Sequence, residues 1–177
     1  MADFNKAFLF MANHEWDRIH NFTNDPADPG GATKYGVTQK ELDSFISRNP
    51  SLGIPAKVQD LKEDHARVIY RLDYWKFEAI RDACLAAKLF DIGVNLGPGT
   101  AVEYLQQGLN VEGRRVEIDG KLGPHTLEAA NAVAPEALIS HLSAFQGAHY
   151  SAWCSKKPER EKFRKGLLRR AQDVPMI

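Results

Sequence analysis

The chain has 177 residues, 44% of them hydrophobic and 26% charged, with 23 Lys and Arg against 23 Asp and Glu. That length supports one well-buried core or two small lobes, and the composition excludes a disordered chain. A formal net charge of zero excludes an overall field that would hold nucleic acid or an anionic membrane, so any polyanion contact has to be local.

The N-terminal stretch MADFNKAFLFMANHEW has an acid at position 3 and no basic start followed by a small-residue cleavage site, so it does not read as a signal peptide. No run approaches the roughly 20 apolar residues of a membrane span. The chain is therefore expected to be made in the cytoplasm without a signal peptide. Asp3 is placed to cap a first helix whose Phe4, Ala7, Phe8 and Met11 recur at helical spacing and bring Glu15 to the last turn. From Asn21 to Gly36 the run NFTNDPADPGGATKYG is too rich in Pro, Gly, Asn, Asp and Thr for a helix, and it predicts an active-site loop or a small β-hairpin near residues 21–37.

Thr38-Gln-Lys-Glu41 is a capping box, followed by the apolar stripe Leu42, Phe45 and Ile46 of a helix ending before Pro50. Asp60 is the expected cap of the next helix, which carries Ala66, Ile69 and Tyr70 toward Tyr74 and Trp75. Residues from about Ile80 to Asn95 are apolar on several faces and predict a central buried helix, ended by Gly97-Pro98-Gly99. Thr100 or Gly99 starts a further helix through Leu109, an IDGKLGP turn leads to one from about Thr126, Pro135 opens one running to about Trp153, and Pro158 opens the last. The fold class is all-α, or strongly α-rich. From Lys156 to Arg170 eight cations stand among two acids, which reads as a solvated face or a contact for an anionic wall polymer. Cys84 and Cys154 lie in apolar helical contexts and read as buried thiols.

Cleaving a glycosidic bond needs a carboxylic acid still protonated near neutral pH, and usually a second carboxylate to activate water or stabilise positive charge on the sugar. Glu15, at the edge of an apolar helix beside Trp16, suits the first role, and Asp25 and Asp28 in the glycine-rich loop are candidates for the second; a helix-end glutamate and turn-capping aspartates would show the same spacing. A metalloprotease is excluded because His14 and His20 stand six residues apart, where two ligands on one helix face need three or four. The glycines near residues 30–36 lack the Lys-Ser or Lys-Thr pair of a phosphate-binding loop. No metal and no cofactor is expected.

The run NDPADPGGATKYGVT from Asn24 to Thr38, shortly after His14-Glu15, resembles the signature of glycoside hydrolase family 108, whose members are lysozyme-like N-acetylmuramidases, many of them phage endolysins. The similarity continues through IYRLDYW at Ile69–Trp75, LFDIGVNLGPG at Leu89–Gly99, and Leu105-Gln-Gln107. DGKLGPHT at Asp119–Thr126 resembles the C-terminal segment described as a predicted peptidoglycan-binding domain, and FRKGLLR at Phe163–Arg169 resembles the closing helix. The resemblance implies Glu15 as the catalytic glutamate, with Asp28 and Thr33 completing a Glu-Asp-Thr arrangement and Asp25 competing for the second carboxylate. Where many members read Glu-Gly-Gly-Tyr, this chain reads Glu15-Trp-Asp-Arg-Ile-His-Asn-Phe22, which lengthens the following loop.

The expectation is a lysozyme-like catalytic lobe at 1–78 and a helical C-terminal lobe at 79–177, packed as one unit and monomeric. It hydrolyses the bond between N-acetylmuramic acid and N-acetylglucosamine, with Trp16, Tyr35, Tyr70, Tyr74 and Asn95 as candidate contacts to glycan, because amides and phenols give directional hydrogen bonds and aromatic faces stack on sugars. Its partner is the peptidoglycan glycan strand, not nucleic acid or membrane, and it acts in the periplasm after holin-type or other non-classical release. The rival readings are a non-catalytic wall-binding or secretion-related protein, a nucleic-acid binder using the basic C-terminal helix, and a transglycosylase.

Overall fold

The computed structural model describes residues 1–15, 21–24 and 31–177, apart from the side chain of Glu15. The chain divides into two compact units, Met1–Phe10 with Tyr74–Ile177, and Met11–Asp73. Among the described residues no helix is long and apolar enough to cross a membrane.

Helix α1, Phe4–Glu15, begins where the sequence places it: the Asp3 carboxylate accepts from the Asn5 and Lys6 backbone N–H groups at 2.9 and 3.2 Å. Its apolar positions Ala7, Phe8 and Met11 are fully buried.

The unit Met11–Asp73 carries a three-stranded antiparallel sheet of β1 (Phe22–Thr23), β2 (Thr33–Lys34) and β3 (Val37–Thr38), in that order. Lys34 pairs with Val37, leaving Tyr35 and Gly36 as a two-residue hairpin loop. Their φ values of 52° and 74° are the positive pair that a type I′ turn demands. Helix α2 (Gln39–Arg48) follows at once. The Thr38 hydroxyl accepts from the Glu41 backbone while the Glu41 carboxylate accepts from the Thr38 backbone, which is the expected capping box, and Leu42 and Phe45 are buried. Helix α3, Glu63–Asp73, starts later than the sequence suggests. Asp60 is used up in a 3-10 turn, Val58–Asp60, and the Lys62 N–H is instead taken by His65 Nδ1 at 3.1 Å.

In the other unit, α4 (Ala83–Leu96) starts after Asp82, whose carboxylate accepts from the Leu85 N–H at 2.8 Å. It is buried from Leu85 to Gly93. Phe4 and Trp75 pack edge to face against its Phe90 and against each other, with centroids 5.5–5.8 Å apart. Helix α5 (Pro98–Val111) opens one or two residues before the expected start, because Pro98 supplies the fixed φ and missing N–H that the first helical position tolerates. Pro124 and Pro135 open α6 (Pro124–Ala130) and α7 (Pro135–Ser155) in the same way. Pro158 opens a 3-10 turn, Pro158–Phe163, and the closing helix α8 runs Arg164–Gln172.

Gly108 brings α5 against α7, since a Cβ there would stand 3.2 Å from His141 Cβ. The turn between α5 and α6 is organised by one buried amide. Gln106 Nε2 donates to Asp119 Oδ1 at 2.8 Å, Lys121 O at 3.1 Å and Thr126 Oγ1 at 3.3 Å, while Gln106 Oε1 accepts from the Asp119 and Gly120 N–H groups. That amide holds the Asp119 carboxyl below the usual carboxylate range. Cys154 is buried and Cys84 is half-buried, and both thiols are free.

Candidate active site

Glu15 is the last described residue of α1. Its side chain lies outside the described residues, as do Trp16, Asp25 and Asp28 entirely. The described scaffold nevertheless fixes both ends of the segment that carries the two aspartates: Thr23 of β1 pairs with Thr33 of β2, so residues 24–32 leave and rejoin the sheet at one cross-strand pair. Thr33 is half-buried there, and its hydroxyl donates to Gly31 O at 3.2 Å.

Tyr35 follows on the hairpin loop. A φ of 52° places a non-glycine residue in the left-handed region, which costs about 1 kcal/mol or more and persists only where neighbours hold it. Two contacts do so: the Tyr35 N–H donates to Asn21 O at 2.9 Å, and its carbonyl accepts from the Tyr70 hydroxyl at 3.0 Å. Lys34 Nζ donates to Gln59 O at 2.7 Å, which ties the same hairpin to the 3-10 turn before α3. Tyr70 is only 3% exposed. It serves as a core residue that positions the turn, and offers no open face to a sugar ring. Thr33, Tyr35 and Tyr70 are thus gathered in one unit, while Tyr74 and Asn95 belong to the other.

Asn95 is exposed near the end of α4, and its Oδ1 accepts from the Tyr150 hydroxyl at 2.7 Å, which itself accepts from Gln146 Nε2 at 3.0 Å. With Leu96, His149, Tyr150, Trp153 and Leu167 it lines a cleft of about 310 Å³. The Tyr104 hydroxyl and His149 Nδ1 stand 2.9 Å apart, and burial pushes that phenol's pKa up. Arg160 stacks its guanidinium 4.2 Å from the Trp153 ring centroid. Aromatic surface with directional polar groups suits a saccharide. The sequence reading missed His149 and Trp153, although Phe145, His149 and Trp153 recur every four residues of α7 and could have been read as a stripe.

The two acids read as structural stand in built pairs or turns: Asp91 is fully buried against Arg170, and Asp119 sits in the Gln106 turn. Of the basic C-terminal run, Arg170 is therefore a core residue and Arg164 pairs with Glu161, while most of the other cations face solvent.

Residues 16–97 match the family model described as Glycosyl hydrolase 108, and residues 100–172 match the one described as Predicted Peptidoglycan domain. A comparison with curated proteins finds no match. Among solved structures, SagA from Brucella abortus superposes with a TM-score of 0.66 at 27% identity, covering 96% of each chain. The α-rich, lysozyme-like character of the fold rests on that likeness and on the helices described above.

Proposed function

We propose that this chain, a peptidoglycan hydrolase by its matches to the glycosyl hydrolase 108 and peptidoglycan-domain models, cuts the bond between N-acetylmuramic acid and N-acetylglucosamine with Glu15 as general acid. What supports the assignment is that α1 carries Glu15 up to the start of the segment that matches the glycosyl hydrolase model, where the resemblance puts the catalytic glutamate. Asp28 or Asp25 is the second carboxylate, orienting water or stabilising the developing charge; Thr33, at the close of their segment, keeps acceptor capacity on its hydroxyl for the water. No metal or cofactor enters this scheme. Tyr35, Tyr74 and Asn95, with Trp16, are assigned to the glycan, and Tyr70 acts on it only through Tyr35.

The catalytic lobe is taken as 1–78 and the wall-contacting lobe as 79–177, acting as a monomer at the peptidoglycan. Digesting purified peptidoglycan with wild type and Glu15→Gln, and reading the soluble fragments by mass spectrometry, tests the scheme. Wild type should release fragments ending in reducing N-acetylmuramic acid, and Glu15→Gln should lower the rate by at least about a hundredfold. Anhydro ends would reassign the reaction to transglycosylation; undiminished release by Glu15→Gln would remove the residue from its role.

A further inference from the structure

Most of the arginines in the described residues are engaged. Arg48 pairs with Asp73, Arg67 with Glu63, Arg164 with Glu161 and Arg170 with Asp91, and Arg160 lies on Trp153. Arg81, Arg114 and Arg115 are exposed and make no side-chain hydrogen bond or ion pair among the described residues. All three line two adjoining clefts on α6. One, of about 370 Å³, holds Arg114 and Arg115 opposite His125 and Glu128; the other, of about 450 Å³, holds Arg81 and Asn131, and Glu128 borders both.

The backbone beneath these cations is fixed. Asn110 accepts from the Val116 N–H and donates to its carbonyl, both at 2.9 Å, and the Arg114 N–H donates to Leu109 O at 2.8 Å, closing the loop that presents Arg114 and Arg115. Asn131 Oδ1 accepts from the Arg81 N–H at 2.8 Å while its amide donates to Ala79 O. Guanidinium groups presented in a cleft and not paired with its carboxylate bind carboxylates or phosphates bidentately. Glu128, at the junction of the two clefts, selects between those ligands. A polyphosphate would meet only repulsion there, whereas a ligand carrying an ammonium between carboxylates matches the order of charges.

We propose that this groove binds the peptide stem of peptidoglycan, Arg114 and Arg115 taking one carboxylate, Arg81 another, and Glu128 the free amine of the diamino acid. The inference rests on the peptidoglycan reading above and adds a site for the peptide to one for the glycan. The groups involved are exposed surface side chains, so their variants should fold as wild type does.

Calorimetric titration of full-length protein with a purified disaccharide-peptide, and with the same disaccharide freed of peptide, tests it. Arg114→Gln/Arg115→Gln should weaken the intact fragment roughly tenfold or more while leaving the peptide-free sugar unchanged. Glu128→Gln should weaken the intact fragment by a smaller factor, and acetylating the stem's free amine should abolish that difference. Equal affinity of wild type and the double variant for the intact fragment would overturn the proposal, as would an equal loss on the peptide-free sugar or a matching loss in retention of short duplex DNA. The two readings fail separately: stem binding without glycan cleavage sinks the muramidase, and cleavage with stem binding unaffected by the arginine changes sinks this site.

Discussion

Lys88 puts an ammonium into a helix otherwise buried through Leu85, Ala86, Leu89, Phe90 and Ile92. It donates to the carbonyls of Arg170, Ala171 and Asp173 at 3.3, 2.8 and 2.9 Å, satisfying acceptors that the end of α8 leaves open. Burial pushes its pKa down to about 8 from 10.5, with Asp91 opposing the shift. Below pH 8 both folded and unfolded chains carry this proton, so Lys88 gives no pH dependence. Between about 8 and 10.5 the unfolded chain binds more protons, and stability contributed at Lys88 rises with pH. The gap of about 2.5 units amounts to roughly 3 kcal/mol at most. Denaturation midpoints of wild type and Lys88→Met across that range should therefore diverge, with wild type gaining; parallel curves would place the ammonium in water. The sequence offered a cue in Lys88 and Asp91, two charges three residues apart inside an apolar stretch. It could not supply their partners, which lie about 80 residues away on α8.

At the scale of elements, the legible features are those made by neighbours in sequence. The Thr38 capping box is one, because Glu41 returns the bond within a single turn. Thr38→Ala should lower stability by about 1 kcal/mol in urea denaturation; an unchanged midpoint would mean that water replaces the cap at no cost. Since Thr38 also pairs with Thr33 in the sheet, the loss falls on the junction of hairpin and helix. The start of α3 was not legible. Asp60 is a good cap by type, but the chain before it closes a 3-10 turn whose Gln39 contacts come from α2: Gln39 Oε1 accepts from the Val58 N–H at 2.8 Å. The hairpin loop shows the converse case, where Gly36 was readable as a turn residue and the left-handed Tyr35 was not, because Tyr70 holds it from 35 residues away.

For the molecule as a whole, the closing helix is a structural member of its unit. The Arg170 guanidinium meets Asp91 at 2.9 and 3.2 Å with both side chains almost fully buried. Leaving one member of such a pair alone costs about 3–5 kcal/mol. A chain stopped after Phe163 loses Arg170 and the Lys88 acceptors together, so it should fail to fold or unfold with a markedly lower midpoint by circular dichroism. A truncated chain as stable as the full one would show that Asp91 is solvated. Zero net charge likewise hides a sorted surface: the cations near the C-terminus divide between core, stacked and solvated roles, and Arg81, Arg114 and Arg115 come from separate stretches of the chain to line adjoining clefts.

The sequence by itself determined the α-rich class, the Asp3 and Thr38 caps, the proline that opens α7, the helix that carries Glu15 and the family resemblance, because each depends on residues within a turn or two of one another. Only the tertiary structure decided that Tyr70 is a buried support, that Lys88 and Arg170 belong to the core, that Asn95 shares a cleft with His149 and Trp153, and that three arginines line a groove with Glu128. Those outcomes depend on desolvation and on contacts between distant segments, and neither is encoded in local spacing.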